Sequence, residues 1–99
     1  MAAQAVGEEG LMAKTCWKEL IEEAMSEKGE GWSDVVSIAP LDLDLHAEFY
    51  DGYGSADGAP FTVWTEKRVY FPACYDGSEW CASVSRNPDG EPTHHVGGG

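Results

Sequence analysis

The sequence is short of basic residues, of cysteines and of long apolar runs, and each shortage excludes a class of protein. No apolar run approaches the ~20 residues that a membrane-spanning helix requires, so we expect a soluble protein. No basic stretch followed by an apolar core opens the chain, so no secretion signal is predicted. The three cysteines form an odd number and lack the spacing of a disulfide framework, which favours a reducing, cytoplasmic location.

Negative charge is the extreme feature of the composition. Eighteen acidic residues against six basic ones give a net charge of −12, and twelve of the acids lie between residues 19 and 66, where Lys28 is the only base. A field of this sign repels nucleic acid and anionic membranes and attracts basic surfaces. We therefore expect a basic protein partner, and no direct binding of nucleic acid or of a membrane.

A helix is predicted near the start of the chain. Thr15 can cap it, and Gly29 and Gly31 can end it. Its apolar residues recur at intervals of three and four, which places them on one buried stripe and turns the acidic residues between them towards water. The members of the stripe are Trp17, Leu20, Ile21, Ala24 and Met25.

Three β-prone runs, residues 61–65, 68–73 and 79–85, follow one another almost without spacers. Asp76-Gly77 between the last two is a strong hairpin signal, because a tight turn needs positive φ, here at Gly77. The runs predict a three-stranded antiparallel meander in which Cys74 pairs with Glu79. Apolar meander side chains are expected to pack against the helix, and the candidates are Val69, Phe71, Ala82 and Val84.

Residues 32–38 have the composition of a further strand, which Pro40 ends. In residues 41–49 apolar and polar side chains alternate strictly, and a period of two favours a strand with one wet face. The alternative is a short helix near residues 43–50, because aspartate disfavours strands.

The predicted fold class is α+β: one N-terminal amphipathic helix packed on an antiparallel sheet of four to five strands, with a C-terminal three-stranded meander. We expect a single domain over residues 14–88, a flexible leader over residues 1–13 and a C-terminal tail over residues 89–99. Residues 51–60 contain three glycines and are expected to form a long loop.

The wet face of residues 41–49 is the first candidate site, because oxygen and imidazole donors at this spacing can hold a divalent cation. Its donors are Asp42, Asp44, His46 and Glu48, with His94 or His95 available to complete the set. This alternative predicts a small metal-binding or enzymatic domain. The competing interpretation, which we favour, is a solvated acidic face without metal or cofactor.

Two weaker patterns concern a calcium loop and a reactive thiol. The alternate spacing of a calcium loop occurs without its central glycine and final glutamate. A cysteine with a distant histidine is the minimum for thiol catalysis, but nothing in the sequence supplies an oxyanion hole. The loop residues are Asp51, Tyr53, Ser55 and Asp57, and the thiol candidates are Cys74 or Cys81 with His94 or His95.

A third weak pattern combines basic and aromatic side chains on the meander. Such side chains on a small sheet can stack single-stranded nucleic acid, but the net charge of the chain opposes this use. The basic residues are Lys67, Arg68 and Arg86, and the aromatic ones are Trp64, Tyr70 and Trp80.

The meander also resembles a known set of proteins. WTxxRVYFP at residues 64–72, YDGxEW at 75–80 and SVxRNP at 83–88 are similar to motifs of small acidic proteins, of unassigned function, that phages and prophages encode. The resemblance extends to residues 16–18, 49–54 and 95–98, and so covers most of residues 16–98. It implies a phage-related context and carries over no activity or site residue.

These observations favour a non-catalytic interaction protein that binds and blocks a basic protein in the cytoplasm of the host cell. A nucleic-acid-binding defence protein fits this description, because an acidic surface can imitate DNA and occupy a cationic groove. The carboxylates expected to contact the partner are Glu22, Glu23, Asp42, Asp44 and Glu48.

Overall fold

The computed structural model describes residues 13–51, 58–75 and 78–96. Within these ranges the chain forms one α-helix, a short 3₁₀ helix (Trp32–Asp34) and six strands. The elements are β1 (Ala13–Cys16), α1 (Trp17–Glu27), β2 (Val35–Ala39), β3 (Glu48–Asp51), β4 (Thr62–Thr65), β5 (Arg68–Tyr75) and β6 (Ser78–Ser85). The predicted α+β class, with one helix packed against antiparallel sheet, is confirmed.

The strands form a four-stranded antiparallel sheet in the order β2-β4-β5-β6 and a two-stranded sheet of β1 and β3. β4, β5 and β6 are the predicted meander, and Cys74 lies opposite Glu79 as expected. The turn at residues 76–77, with the φ predicted for Gly77, lies outside the described residues.

Helix α1 has the predicted stripe and a different start. Trp17, Ile21, Ala24 and Met25 are buried, whereas Leu20 is half-buried. The prediction that Thr15 caps the helix is wrong: Thr15 pairs with Phe49 in the two-stranded sheet, and Cys16 stands at the cap position without a side-chain bond.

Gly29 ends α1 as predicted. Its φ of 73° lies in the left-handed region that glycine adopts readily. The Glu30 N–H donates to the Met25 carbonyl at 2.9 Å, and the Gly29 N–H donates to the Ser26 carbonyl at 3.2 Å. These bonds form a Schellman motif, which satisfies the last carbonyls of the helix.

The strand predicted over residues 41–49 is wrong for residues 41–47, and the alternative helix near residues 43–50 does not form either. Asp44 is the physical reason, because its carboxylate accepts a hydrogen bond from the His46 N–H at 3.1 Å and folds the backbone into a turn. A second turn joins the Leu43 N–H to the Pro40 carbonyl at 3.1 Å. Residues 32–38 likewise begin as 3₁₀ helix, and strand pairing starts at Val35.

The boundaries of the expected domain are described only in part. Ala13, expected as the last residue of the leader, is the first residue of β1, and residues 1–12 lie outside the described ranges. Of the loop expected at residues 51–60, the structure describes residues 51 and 58–60. In the expected tail, residues 89–96 form neither helix nor strand.

The core lies between α1 and one face of the four-stranded sheet, which we call the inner face. Val63, Tyr70 and Cys81 of this face are buried with the helix stripe, together with Phe49 and Phe61. The prediction that meander positions 69, 71, 82 and 84 pack on the helix is therefore wrong, since these residues are half-buried on the opposite face of the sheet, which we call the outer face.

Trp17 is the centre of the core. Its ring lies 4.9 Å from that of Phe49 and 4.7 Å from that of Phe61, and its indole N–H donates to the Ala59 carbonyl at 2.9 Å. Gly58 passes so close that a Cβ there would stand 2.6 Å from the Trp17 ring. The Gly58 N–H donates to the buried Glu79 carboxylate at 3.0 Å. This bond fixes the end of the 51–60 loop against β6.

Candidate interaction surface

The turn-forming residues 40–47 lie against the start of helix α1. The Lys18 N–H donates to the Leu45 carbonyl at 3.0 Å, so the segment satisfies one of the free N–H groups of the first helical turn. Leu43 and Leu45 are half-buried and pack on the core, which holds the segment in place. Leu41, expected on the same apolar face, is instead 88% exposed.

Exposed carboxylates lie on α1, on the turn segment packed against its start and at the beginning of β3. We call these residues together the acidic surface. Its members are Glu19 and Glu23 on α1, Asp42 and Asp44 on the turn segment, and Glu48 at the start of β3, and all five are exposed. Four of the five carboxylates predicted to contact a partner are thus exposed.

Glu22, the fifth predicted contact residue, is engaged within the protein. Its Oε2 atom accepts hydrogen bonds from Lys18 Nζ and from Trp32 Nε1, each at 2.7 Å. These two bonds, with the Lys18 charge and that of the nearby His46, lower the pKa of Glu22. The bond to Glu22 raises the pKa of Lys18 in turn. Glu22 is therefore paired with Lys18, and we leave it out of the acidic surface.

The four donors of the predicted metal face do not form a ligand set. Among the described residues, no three His, Cys, Asp or Glu side chains are grouped closely enough to hold a metal ion. The turn that Asp44 makes with the His46 backbone breaks the alternation on which the shared face depended. Of the weak calcium pattern, Tyr53, Ser55 and Asp57 lie outside the described residues.

The thiol candidates do not have the environment of a nucleophile. All three cysteines are free, and Cys16 and Cys81 are buried. Burial raises the pKa of the Cys81 thiol to about 12, so the group stays protonated near neutral pH. A protonated thiol is the unreactive form.

The basic residues of the meander lie at the end of the molecule where α1 stops. A cleft of about 320 Å³ opens there, lined by Lys28, Glu30, Lys67, Arg68, Ser85, Asn87, Pro88 and Asp89. Arg68 Nε donates to Ser83 Oγ at 2.9 Å, and Arg86 Nη1 donates to the Thr65 carbonyl at 2.8 Å. Trp64 and Trp80 lie on one sheet face and Tyr70 on the other, so these aromatic residues form no single stacking platform.

Sequence reasoning missed this cleft. It depends on Lys28, at the end of α1, meeting a turn nearly forty residues later, and no local pattern signals that contact.

Comparison with family models, with curated proteins and with solved structures finds no match to the chain. No helix within the described ranges has the length and apolar character needed to cross a membrane.

Proposed function

We propose that the protein is a non-catalytic interaction protein that binds a basic partner protein through the acidic surface and blocks it. The partner proposed is a nucleic-acid-binding protein of the host cell cytoplasm, and the acidic surface occupies the groove that would otherwise hold DNA. The observation that supports this proposal is the exposure of five carboxylates on α1, on the turn segment packed against it and at the start of β3.

The charges of the acidic surface are weakly compensated from within the protein. The described ion pair nearest to them is that of Lys14 Nζ with Glu48 Oε1, at a separation of 4.0 Å with both side chains largely exposed. Exposed pairs of this length contribute little energy. Lys18 is already bonded to Glu22. The local field therefore stays negative, and a cationic surface gains by approaching it.

DNA mimicry supplies the blocking mechanism. Duplex DNA carries one negative charge per ~1.7 Å of its axis, and proteins that bind it present cationic grooves. A helix and a turn that display carboxylates can occupy such a groove, because they place negative charge where the phosphates of DNA would lie. The motif resemblance to phage and prophage proteins supports a host protein as the partner. It does so by context and not by chemistry.

Charge reversal tests the proposal. The chain is used as bait in a bacterial lysate, and the recovered basic protein is then titrated with wild type and with the triple variant Asp42→Lys, Asp44→Lys, Glu48→Lys. We expect wild-type affinity to fall steeply with salt, and the variant to lose both affinity and salt dependence. Wild type should also displace DNA from the partner.

A matched control carries the same change of net charge elsewhere. Glu27, Glu66 and Glu91 are exposed and lie towards the other end of the molecule, so their replacement by lysine should leave binding nearly unchanged. The control variant should keep the wild-type thermal stability, since exposed charges contribute little individually. The triple variant also loses the bond of Asp44 to the His46 N–H, so its fold is checked by circular dichroism before the titration. If the two variants weaken binding equally, only net charge matters and the proposed surface is wrong.

A further inference from the structure

The cleft at the C-terminal end of α1, which we call the cationic cleft, contains three of the six basic residues of the chain. They are Lys28 at the helix end, and Lys67 and Arg68 where the chain turns from β4 into β5. Within the described ranges none of these three forms an ion pair, whereas Lys14 and Lys18 each have a carboxylate partner. The charge of the cleft is therefore available to an anion from outside the chain.

Arg68 is held in position for such an anion. Its Nε atom donates to Ser83 Oγ at 2.9 Å, and its backbone N–H donates to Thr65 Oγ1 at 2.9 Å, so both ends of the residue are fixed. The residue is half-buried, and its two Nη groups make no hydrogen bond to any described residue. An oriented guanidinium fork with free terminal nitrogens is well suited to bind two oxygens of one anion.

Lys28 and Lys67 add charge beside this fork. Both are exposed, and the turn that carries Lys67 is fixed by its N–H, which donates to Thr65 Oγ1 at 3.2 Å. The helix dipole favours a cation at the end of α1 and so accounts for Lys28, but Lys67 and Arg68 lie on no helix. One guanidinium fork is enough for a single carboxylate. Three cations suit an anion with more oxygens and about two charges, which describes a phosphate monoester.

Two carboxylates also line the cleft and reduce its charge. Glu30 is engaged with the inner face, because its Oε1 atom accepts hydrogen bonds from the hydroxyls of Tyr70 and Thr65 at 2.7 and 3.1 Å. Asp89 is exposed, and its Oδ1 atom accepts the Glu91 N–H at 3.0 Å. The lining keeps an excess of one positive charge, and Asp89 is the carboxylate that an entering anion meets.

The size and surroundings of the cleft limit the molecule that can carry the phosphate. Its volume of about 320 Å³ is at the lower end of the ~300–1,000 Å³ of small-molecule pockets. At physiological salt, charges act over ~8 Å, so a compact ligand responds mainly to the local cations. A nucleic-acid strand would extend its phosphates over a molecule with a net charge of −12, which repels them. A small phosphorylated molecule is therefore favoured over a nucleic acid.

We propose that the cationic cleft binds the phosphate group of a small phosphate monoester. The Nη groups of Arg68 donate to two of its oxygens, and the ammonium groups of Lys28 and Lys67 stand beside the others. The site uses no residue of the acidic surface, so the inference does not depend on the proposed function.

Titration of the ¹⁵N-labelled full chain with glycerol phosphate tests the site, at neutral pH and with the ionic strength held constant by sodium chloride. We expect the NMR signals of the Arg68 Nε–H and of the Lys67 and Arg68 backbone N–H groups to shift and to reach saturation. Inorganic phosphate should shift the same signals. Acetate should bind about tenfold more weakly or worse, because it has one charge and two oxygens.

Substitutions then locate the phosphate, each in a variant first shown to be folded by circular dichroism. Arg68→Gln and Arg68→Lys should both weaken binding about tenfold or more, since lysine keeps the charge but lacks the fork. Asp89→Asn should strengthen binding about threefold, because it removes a negative charge and keeps an acceptor for the Glu91 N–H. Lys14→Gln is the matched control, because it removes one cation outside the cleft and should change the affinity less than about twofold.

Three results would overturn the proposal. The first is the absence of a saturable shift with glycerol phosphate, or binding of acetate with equal affinity. The second is unchanged affinity in folded Arg68→Gln together with unchanged affinity in Asp89→Asn. The third is a single-stranded oligonucleotide that binds more tightly than glycerol phosphate and loses affinity in Arg68→Gln, which would make the cleft a nucleic-acid site.

Discussion

The two faces of the four-stranded sheet differ in polarity. The difference is the reverse of the usual one, in which the buried face is apolar and the solvated face is polar. The inner face is buried by helix α1, yet it includes a tyrosine, a threonine and a glutamate that are between 0% and 4% exposed. Most residues of the outer face are half-buried or exposed, yet the face consists of aromatic, aliphatic and small uncharged residues. The more polar face of the sheet is the one that forms the core.

Hydrogen bonding explains the difference. Tyr70 and Thr65 donate to the same Oε1 atom of Glu30, at 2.7 and 3.1 Å, and Glu79 accepts the Gly58 N–H at 3.0 Å. A buried polar group costs little once it is bonded. Burial, followed by the bond to Glu30, raises the pKa of Tyr70, so its hydroxyl remains a donor. Which face is buried therefore depends on the hydrogen-bond partners available to its polar side chains as well as on its apolar area.

The largest effect should come from the helix that covers the inner face. Ile21→Ala should lower the free energy of unfolding by about 2–5 kcal/mol, because Ile21 is fully buried and its removal leaves a cavity. Denaturant unfolding measures this change. Leu20→Ala, at the half-buried neighbour, should cost less than about 2 kcal/mol. Equal costs would mean that the helix is rotated relative to the sheet.

The next effect concerns the polar bonds of the inner face. Tyr70→Phe should cost about 1.5–2 kcal/mol, since it removes a hydrogen bond to a charged carboxylate. Tyr75→Phe provides the control on the outer face of the same strand, where the exposed hydroxyl can bond to water, and should cost less than about 0.5 kcal/mol. A neutral Tyr70→Phe would show that the bond to Glu30 contributes nothing to stability.

Valine occurs on both faces and allows a direct comparison. Val63→Ala, on the inner face, should cost about 1.5 kcal/mol for the loss of two buried methyl groups. Val69→Ala, on the outer face, should cost less than about 1 kcal/mol, because Val69 is half-buried. Denaturant unfolding measures both changes, and equal costs would show that the outer face is packed as closely as the inner face.

The parts of the fold that follow local rules could be predicted from the sequence. The spacing from Trp17 to Met25 indicated the helix, and the short β-prone runs indicated the meander with its pairing of Cys74 and Glu79. The orientation of the meander could not be predicted, because both faces alternate with the same period of two. One contact that distinguishes the two faces is the bond of Tyr70 to Glu30, which spans forty residues of sequence and has no local signal.

The candidate site was predictable in composition and not in shape. Four of the five carboxylates expected on the surface are exposed, but Asp44 was expected in a strand and instead bonds to the His46 backbone. Alternation in residues 41–49 was a weak signal, because an aspartate side chain can hydrogen-bond to nearby backbone groups and so compete with strand pairing. Glu22 could not be separated from its neighbours by sequence, since its bond to Trp32 depends on the 3₁₀ helix that follows α1.

The smallest predicted effect uses Cys81 as a reporter of how tightly the inner face is closed. Burial raises the pKa of this thiol from an ordinary 9.0 to about 12 in the folded protein. A raised folded pKa means that the unfolded chain releases the proton first as pH increases. The stability due to the protonated thiol is therefore complete below pH 9 and is lost progressively between pH 9 and about 12.

Comparison of wild type with Cys81→Ala isolates this loss. Between about pH 8 and about pH 10, wild type should lose roughly 1 kcal/mol more unfolding free energy than the variant. Tyrosine and lysine side chains also titrate in this range, but they do so in both proteins and cancel in the difference. Only the dependence on pH is compared, because the alanine itself changes the packing of β6. Equal losses in the two proteins would show that the thiol reaches water, and the inner face would then be open along β6 as the outer face is.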